Sequence, residues 1–397
     1  MTITFTQEFI IAFDEAMEKE YDNPLPKSDY IGFIYKIEQS LFFNNSEYAY
    51  FSNNEIRNNF GRKKIHGKMS WKLDYIIKKL LQNDVIIYSD YDKATGQTRH
   101  YYYNSIFIWS IKENQLSFVT EEIPQKLYNR ISKEPPTEEK AICQYELLKS
   151  DRFQIKIEEA IKWIDTLYYN KQISFNQKMA YSRCVIDMHN KEIITIVGEK
   201  GGRVYTNFNL IKKELRQYCT MDGESLMSID LKSAQPYFIS QILKKEYPDI
   251  DNKFYRVVTG GDIYQYVYDI WAEENPKGFY NSWNVKTKSP MKVNISDRED
   301  MKIEFMKMIF GGRSPITNIV KKEFPDILLI LKSYRAAELQ QIESGIFIPV
   351  QNKLNNLGVL SVHDSLYFKE KDWVTVELAL EEQFKQKGMT DFTLKIN

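Results

Sequence analysis

The sequence predicts an α+β protein with a small N-terminal module of helices and a hairpin, followed by a larger region of short strands and helices. Helical apolar spacing alternates along the 397 residues with β-branched and aromatic runs that are typical of strands. The chain is 43% hydrophobic and 14% aromatic, which is ample for a sizeable core and excludes a disordered or fibrous chain. Two adjacent prolines among charged residues separate the two regions.

The N-terminal region is predicted to contain three helices. A first helix over residues 29–42 follows from an apolar stripe at helical spacing, formed by Ile31, Ile34, Ile37 and Leu41. Ser52 and Glu55 form a capping-box pattern that begins a second, short helix ending near residue 60. A third helix over residues 70–82 is expected to bury one apolar set and to expose Lys72, Lys78 and Lys79; the buried set is Leu73, Ile76, Ile77 and Leu80.

A hairpin is predicted after the third helix. Residues 85–91 and 98–103 are rich in β-branched and aromatic side chains, and they flank a turn sequence at residues 92–96. Three helices followed by a hairpin is the order of a winged helix-turn-helix, which predicts a winged-helix-like DNA-binding domain over residues 1–131.

The charge pattern favours a local nucleic-acid site over a basic protein. The chain carries 54 Lys and Arg against 54 Asp and Glu, so its formal net charge is zero. Residues 50–103, however, hold about ten basic against about five acidic side chains. Phosphate contacts are expected near the turn between the second and third helices, at Arg57, Arg62, Lys63, Lys64 and Lys68. The alternative is a helix and hairpin scaffold whose charges form only a solvated face.

The remaining boundaries and the cellular setting follow from composition. Residues 132–140 are predicted to be a linker, residues 141–200 a helical region, and residues 201–397 the larger domain. No secretion signal begins the chain, and apolar runs such as residues 239–243 are too short to span a bilayer. Three separated cysteines without a CxxC pair favour reduced thiols, so a cytoplasmic protein without a membrane partner is expected.

Two short apolar strands of the larger domain each end at an aspartate. Asp230 ends one strand before the chain turns into a helix, and His363 with Asp364 forms a tight turn between two others. Taken alone, Asp230 is most often a helix cap, and the His363–Asp364 pair is more often a structural turn. If the two aspartates face one another, they form a site for two divalent metals about 4 Å apart, which can bind a triphosphate and activate a 3′-hydroxyl.

Two further stretches carry cationic and aromatic side chains. Arg298, Lys302, Met306 and Phe310 recur every four residues and therefore share one helical face, which can hold a triphosphate at one end and stack on a base at the other. An ordinary amphipathic helix is the alternative, although it would not require the glycine pair that follows the ring. The other stretch, a loop that begins at residue 201, is a weak signal alone; it carries Arg203 and Asn209, with Arg216 further on.

In their order and combination these stretches resemble the palm and fingers of family A DNA polymerases, which are related to phage and mitochondrial single-subunit RNA polymerases. The resemblance covers about residues 200–370. It includes an Asp-Ile-aromatic segment that begins a helix before the fingers helix, here residues 262–264, and the His-Asp turn. The implied fold is a right-hand polymerase palm, an antiparallel sheet with helices, together with helical fingers.

The resemblance implies a role for each matched residue. Asp230, Asp364 and the backbone carbonyl of Leu231 would bind two Mg²⁺ ions, for which Mn²⁺ can substitute. Arg298 and Lys302 would hold the nucleoside triphosphate, and Lys302 would also protonate or stabilise the leaving pyrophosphate. Phe310, Gly311 and Gln235 would complete the nucleotide site. Contacts to a DNA primer-template are implied for Arg203, Asn209, Arg216 and His363, with turn stabilisation as the alternative role of His363.

Departures from the family pattern bear on the sugar of the nucleotide. Gln235 stands where the DNA polymerases usually have the Glu that restricts the 2′ position, and Ser365 follows the second Asp as in the RNA polymerase branch. Phe310 lacks the hydroxyl of the Tyr that favours ribonucleotides in that branch. Because Gln235 is large enough to occupy the space of a 2′-hydroxyl, deoxynucleotides are favoured.

The sequence therefore predicts a compact DNA-directed DNA polymerase that uses a two-metal mechanism, in the setting of a mobile element, plasmid or phage with replication partner proteins. About sixty residues between the linker and the larger domain leave no room for a proofreading exonuclease there, and they favour a reduced thumb with low processivity. One alternative is a single-subunit RNA polymerase or primase-polymerase. Another is a replication initiator that carries a degenerate palm.

Overall fold

The structure is a computed structural model of an α+β protein. It describes residues 2–21, 24–44, 49–50, 53–66, 68–89, 100–110, 117–124, 136–249, 252–284, 289–334 and 336–397. The chain divides into two compact units. The first comprises Met1–Ile196 and Tyr205–Leu226, and the second comprises Val197–Val204 and Met227–Asn397. The first unit thus contains the predicted N-terminal module together with residues 141–196 of the predicted helical region 141–200.

Short strands and helices alternate in the N-terminal part of the first unit. The strands are β1 (Thr2–Thr6), β2 (Ala49–Tyr50), β3 (Arg62–Ile65), β4 (Lys68–Trp71), β5 (Ile86–Ser89), β6 (His100–Tyr103) and β7 (Phe118–Glu122). The helices are α1 (Gln7–Met17), α2 (Lys27–Asn44), α3 (Asn53–Phe60), α4 (Lys72–Gln82) and α5 (Ser105–Ser110). Strand β1 pairs with β7, β3 pairs with β4, and a three-stranded sheet has the order β2, β6, β5.

The helices predicted here form where their apolar side chains recur at helical spacing. Helix α2 buries all four residues of its predicted stripe, and α4 likewise buries its predicted apolar set. The hairpin predicted after α4 is the antiparallel pair β5 and β6. Its turn at residues 92–96 lies outside the described residues, as do Ser52 of the capping box and residues 132–135 of the predicted linker. Helix formation resumes at Glu139.

The segment between α3 and α4 differs from the expected turn because it folds as the antiparallel hairpin of β3 and β4. Arg62 is opposite Trp71 in the register, and its guanidinium lies 5.0 Å from the centre of the indole ring. This cross-strand cation–π pair, together with the burial of Ile65, favours strands over a loop. As a result α4 begins at Lys72, two residues later than predicted.

The rest of the first unit is mainly helical. Its elements are α6 (Glu139–Lys149), β8 (Phe153–Ile155), α7 (Ile157–Tyr169), α8 (Phe175–His189), β9 (Thr195–Val197), β10 (Val204–Thr206), α9 (Asn207–Leu210) and β11 (Cys219–Met221). Helix α7 buries Ala160, Ile161 and Ile164, as its apolar spacing predicts. Helix α8 begins with a capping box between Ser174 and Gln177. Strand β11 pairs with β8 and with the first residues of β12 (Glu224–Leu231), which continues into the second unit.

The second unit combines an antiparallel sheet with helices. Its strands after β12 are β13 (Phe279–Asn284), β14 (Ser289–Asn294), β15 (Leu360–Val362), β16 (Ser365–Lys369) and β17 (Leu394–Ile396). Its helices are α10 (Ala234–Glu246), α11 (Lys253–Gly260), α12 (Ile263–Glu274), α13 (Arg298–Ile309), α14 (Thr317–Glu323), α15 (Ile327–Ser333), α16 (Ala336–Lys353) and α17 (Trp373–Gln386). Strands β15, β16 and β12 are neighbours in that order, and β17 also pairs with β12.

One apolar core holds the helices of the second unit against this sheet. Its fully buried members come from the sheet and from seven of the helices, and they include Ile229, Phe238, Val267, Phe305, Phe347 and Leu366. The end of β12, the turn after β15 and the start of α10 are therefore fixed by the packing of the elements that carry them. Among the described residues, no helix is both long and apolar enough to cross a membrane.

Candidate active site

Two aspartates lie at adjacent strands of the second unit. Asp230 is the penultimate residue of β12, and Asp364 lies in the turn between β15 and β16. The backbone N–H of Leu231 donates to the backbone carbonyl of Asp364 over 3.1 Å, so the turn is fastened to the end of β12. His363 adopts a positive φ of 54°, which makes the tight turn possible. The structure thus brings together the two strand ends that the sequence analysis selected.

The electrostatics of Asp364 indicate a cluster of negative charge. Burial and the charges of Glu343 and Asp230 together raise the pKa of its carboxyl to about 7, although a backbone hydrogen bond and the nearby Arg203 act to lower it. The Asp230 carboxylate accepts a hydrogen bond from the Asn397 side-chain amide over 2.7 Å. A perturbed carboxyl next to other acids is typical of functional sites.

These donors fit a divalent cation. Carboxylates and a backbone carbonyl are the oxygen ligands that Mg²⁺ accepts, usually one or two carboxylates with water and phosphate completing the shell. A cation would also relieve the repulsion that raises the pKa of Asp364. Within the described ranges, no group of three or more His, Cys, Asp or Glu side chains is arranged to hold a metal. The predicted ligand set, Asp230, Asp364 and the carbonyl of Leu231, contains only two such side chains.

Glu343 of α16 is buried within electrostatic range of Asp364 and joins two predicted site residues. Its carboxylate accepts two hydrogen bonds from Arg203, from Nε to Oε1 and from Nη2 to Oε2, each over 2.8 Å. Gln235 Nε2 donates to Oε2 of the same carboxylate over 2.8 Å. Glu343 is only 1% exposed, and burial raises its pKa against the lowering effect of Arg203 and Gln235.

The cationic helix α13 meets the site through Tyr264. Asp262 caps α12, because its side chain accepts hydrogen bonds from the backbone N–H groups of Tyr264 and Gln265. The motif at residues 262–264 predicts this helix start. The Arg298 guanidinium lies 5.1 Å and the Lys302 ammonium 6.0 Å from the centre of the Tyr264 ring. The Tyr264 hydroxyl bonds to the Ser233 side chain, and burial raises its pKa, with the charge of Asp364 adding to the increase. Tyr264 therefore lies against the cationic helix and within electrostatic range of Asp364.

Arg298 is paired with acids at the beginning of α13. Its Nε donates to Asp262 over 2.9 Å, and it also contacts Glu299. Burial of Asp262 acts to raise its pKa, but the hydrogen bonds from Arg298 and the backbone outweigh this and hold the pKa below its ordinary value. Lys302 is exposed one turn further on. Both cations thus lie on one helical face, as their spacing predicts.

The aromatic end of this face lies just outside the helix. Helix α13 ends at Ile309, so Phe310 is the C-cap residue and is 43% exposed. Gly311 follows with a φ of 80°, a conformation that glycine adopts without strain. Met306 lies on the Tyr264 side of the helix, where its sulfur accepts from the Tyr264 hydroxyl over 3.8 Å. The glycine pair after the ring therefore ends the helix.

The other predicted primer-template residues belong to the first unit. Asn209 is buried, and its side chain forms a capping box with Thr206 and accepts from Gln144. Arg216 donates to the carbonyls of Phe208, Asn209 and Ile211 over 3.0 to 3.2 Å. Both side chains are engaged in holding their own segment, so their contact with nucleic acid stays a prediction.

The predicted basic patch of the first unit is partly neutralised. Arg57 forms a bidentate pair with Asp74, Lys72 pairs with Asp29, and Lys79 pairs with Glu20. The hairpin of β3 and β4 contributes the remaining predicted cations, which are exposed: Arg62, Lys63, Lys64 and Lys68. Lys63 also donates to the carbonyl of Pro24 over 2.7 Å. No acidic residue occurs between positions 58 and 73 of the sequence, so positive charge concentrates on this hairpin.

Comparison with known proteins gives a distant structural likeness. The chain is similar to the POL domain of Pol1 from M. smegmatis, solved in complex with DNA primer-template and dNTP. The TM-score is 0.34 with 12% sequence identity, over 60% of this chain and 55% of that chain. The match thus spans little more than half of the Pol1 chain. No family model matches the sequence, and no curated protein matches it.

Glu343 and Tyr264 are site residues that the sequence analysis did not select. Glu343 lies in a helix without any motif, and only its contact with Arg203 and Gln235 identifies it. Tyr264 lies in a recognised motif, but its position under the cations of α13 and within electrostatic range of Asp364 could not be read from spacing. A lone Glu among the buried positions of a helix was the one available signal, because such a residue requires partners.

Proposed function

We propose that this protein catalyses template-directed nucleotidyl transfer as a compact DNA-directed DNA polymerase. The observation that carries the proposal is the placement of Asp230 and Asp364 at neighbouring strands, together with the cations of α13 over the ring of Tyr264, whose pKa the charge of Asp364 raises. An acidic pair next to a cationic helix suits a reaction in which a triphosphate is held while its α-phosphorus is attacked.

The residues of α13 are assigned to the triphosphate. Arg298 exchanges its bonds to Asp262 and Glu299 for phosphate oxygens, which a guanidinium can bind in a bidentate manner. Lys302, one turn further along the same face, stabilises the charge of the leaving pyrophosphate and supplies it with a proton. Phe310 and Gly311 at the exposed end of the face are assigned to the base of the incoming nucleotide.

The aspartates and their neighbours are assigned to the reacting oxygens. When bound to Asp230, Asp364 and the carbonyl of Leu231, Mg²⁺ supplies Lewis-acid activation of the primer 3′-hydroxyl and charge neutralisation. The turn at His363 orients the Asp364 carboxylate, and the hydrogen bond from Leu231 N–H holds that turn against β12. Gln235 at the start of α10 restricts the sugar, and Arg203 contacts the primer end.

Single-nucleotide incorporation on a primed DNA template tests the role of α13. Lys302→Ala is expected to lower kcat/KM for the dNTP on the order of 100-fold, the effect of removing one charge-stabilising donor. Lys307→Ala is the matched control, because Lys307 lies on the same helix and forms a hydrogen bond and ion pair with Glu304 rather than lying by Tyr264. Equal incorporation by the wild-type protein and the Lys302 variant would remove α13 from the mechanism.

The N-terminal part of the first unit is proposed to be a winged-helix-like DNA-binding module. Support comes from the order of helix α2, strand β2, helices α3 and α4, and strands β5 and β6. The exposed cations of the β3–β4 hairpin supply a phosphate-binding surface that the ion-paired Arg57 does not.

The hairpin is tested by salt-dependent DNA binding of the full chain. Changing Lys63 and Lys64 to Glu is expected to weaken binding to duplex DNA and to reduce the salt slope. The same change at Lys321 and Lys322, exposed lysines of α14, is the control for net charge. Equal affinities of the two double variants would exclude the hairpin as the binding surface.

A second candidate function is synthesis from ribonucleotides, as a single-subunit RNA polymerase or primase-polymerase. Ser365 after the second aspartate favours it. Extension of one primed template with dNTPs and with NTPs distinguishes the two candidates, and synthesis from NTPs without a primer would establish the second.

A further inference from the structure

Glu343 connects three parts of the candidate site through one buried carboxylate. It binds Arg203 of the glycine loop, residues 198–203 between β9 and β10, and Gln235 at the start of α10. Its charge raises the pKa of Asp364. Among the described residues of the second unit, Glu304 is also a buried acid, and its partner Lys307 lies outside the assigned machinery. Glu343 is thus the buried acid through which the assigned primer and sugar residues are joined.

Helix α16 also holds the glycine loop in place around this carboxylate. The Ser344 hydroxyl donates to the carbonyl of Gly201 over 3.1 Å, and the Gln341 amide donates to the carbonyl of Lys200 over 2.7 Å. A Cβ on Gly201 would lie 2.4 Å from Oε1 of Gln340, so the loop backbone approaches the helix as closely as glycine permits. The position of Arg203 is therefore set by α16.

The hydrogen bond to Glu343 fixes the orientation of the Gln235 amide. A carboxylate accepts hydrogen bonds and cannot donate them, so the amide nitrogen of Gln235 must face Glu343. Gln235 is 5% exposed, and within the described residues its Oε1 is buried without a hydrogen-bond partner. The side chain therefore cannot rotate freely to make room for another group.

We propose that Glu343 is a positioning residue that determines sugar selection, because its carboxylate clamps Gln235 and Arg203 against the bound nucleotide and the primer end. This inference rests on the proposed polymerase function. Gln235 can discriminate against a 2′-hydroxyl only if its side chain is held in place. Loss of the clamp frees the amide to move, and discrimination between the two sugars then falls.

The test compares incorporation of dATP and ATP at a single position of one primed template. Glu343→Gln keeps the volume of the side chain but replaces one acceptor oxygen with an NH₂ group, so Arg203 and Gln235 can no longer both be satisfied. The kcat/KM for dATP divided by that for ATP is the measured ratio. In Glu343→Gln this ratio is expected to lie about tenfold closer to one than in the wild type, as loss of one hydrogen bond to a charged group implies. Glu338→Gln on the same helix is the control for charge, and its ratio is expected to equal that of the wild type.

A double-mutant cycle separates the clamp from a general structural effect. Gln235→Met removes the amide at similar volume, and its ratio is expected to change as in Glu343→Gln. Because both changes remove the same hydrogen bond, the double variant should match the single variants rather than add to them. If circular dichroism shows that Glu343→Gln does not fold, Glu343→Asp applies the same test. The aspartate keeps the charge, but its shorter side chain moves the carboxylate away from Gln235 and Arg203.

The outcomes distinguish this inference from the proposed function. A wild-type protein that incorporates neither nucleotide contradicts the polymerase function itself. Three results would overturn the clamp while the polymerase function stands. They are an active wild type with a ratio near one, a folded Glu343 variant with the wild-type ratio, and additive effects in the double variant.

Discussion

The substitution Asp364→Asn is expected to stabilise the protein in the absence of metal. The asparagine keeps the shape of the side chain but removes a charge that lies beside Glu343 and Asp230. The pKa of Asp364 is raised from the ordinary 3.8 to about 7 by burial and by these acids. At about 1.36 kcal/mol per pKa unit this corresponds to about 4 kcal/mol. Because the residue is partly exposed, solvent screening reduces the expected gain to about 1–2 kcal/mol.

The pH dependence gives the sign of the effect. A carboxyl whose pKa is raised by folding contributes stability that is fully present below its unfolded pKa, here 3.8, and is lost as the pH rises through about 7. The wild-type protein therefore carries the full penalty at pH 8, whereas the asparagine variant carries none. The difference between them should narrow as the pH is lowered from 8 to 5.

Thermal unfolding in EDTA measures this difference. At pH 8 the Asp364→Asn variant is expected to have a Tm roughly 2–8 °C above the wild type, from about 2–4 °C per kcal/mol for a unit of this size. Asp249→Asn, at an exposed position of the same unit, is the control and should leave Tm unchanged. A lower Tm for Asp364→Asn at pH 8, or an equal gain at pH 5 and pH 8, would refute the electrostatic interpretation.

Three further predictions concern stability and binding. Phe305→Ala removes a fully buried ring of α13 and should cost about 3–5 kcal/mol, whereas Ile303→Ala, at a side chain 64% exposed, should change stability by less than about 0.5 kcal/mol in denaturant unfolding. Burial raises the pKa of Glu38 from 4.5 to about 8, so wild-type stability should fall as the pH rises from about 4.5 to about 8. Glu38→Gln should lose less over this range, as Tm measured at each pH will show. Mg²⁺ should raise the Tm of the wild type but not that of Asp364→Asn, and an equal rise in both would place the ion elsewhere.

Local sequence patterns predicted where helices and strands form better than they predicted which residues those elements contact. The stripes of α2 and α4 and the spacing of Arg298 and Lys302 each depend on residues a few positions apart, so periodicity was enough to find them. The β3–β4 hairpin was missed because its strands are only four residues long and strongly basic, and because its stabilising contact between Arg62 and Trp71 forms only after pairing.

The candidate site could be predicted only in part for a related reason. Motifs located Asp230 and Asp364, whose strands become neighbours in the sheet. Glu343 is more than a hundred positions from both Arg203 and Gln235, and nothing in its local sequence indicates that helix α16 brings its carboxylate to them. Long-range contacts between charged side chains are set by the packing of the helices, which a single sequence does not reveal.

Metal-dependent incorporation of a dNTP on a primed template tests the central claim most directly. The wild-type protein is expected to extend the primer with Mg²⁺ and to stop when EDTA is added. Asp230→Ala and Asp364→Ala are each expected to abolish extension while circular dichroism shows a folded protein, because each removes a carboxylate from the proposed metal pair. Retained incorporation by either folded variant would contradict the assignment of these two aspartates to catalysis.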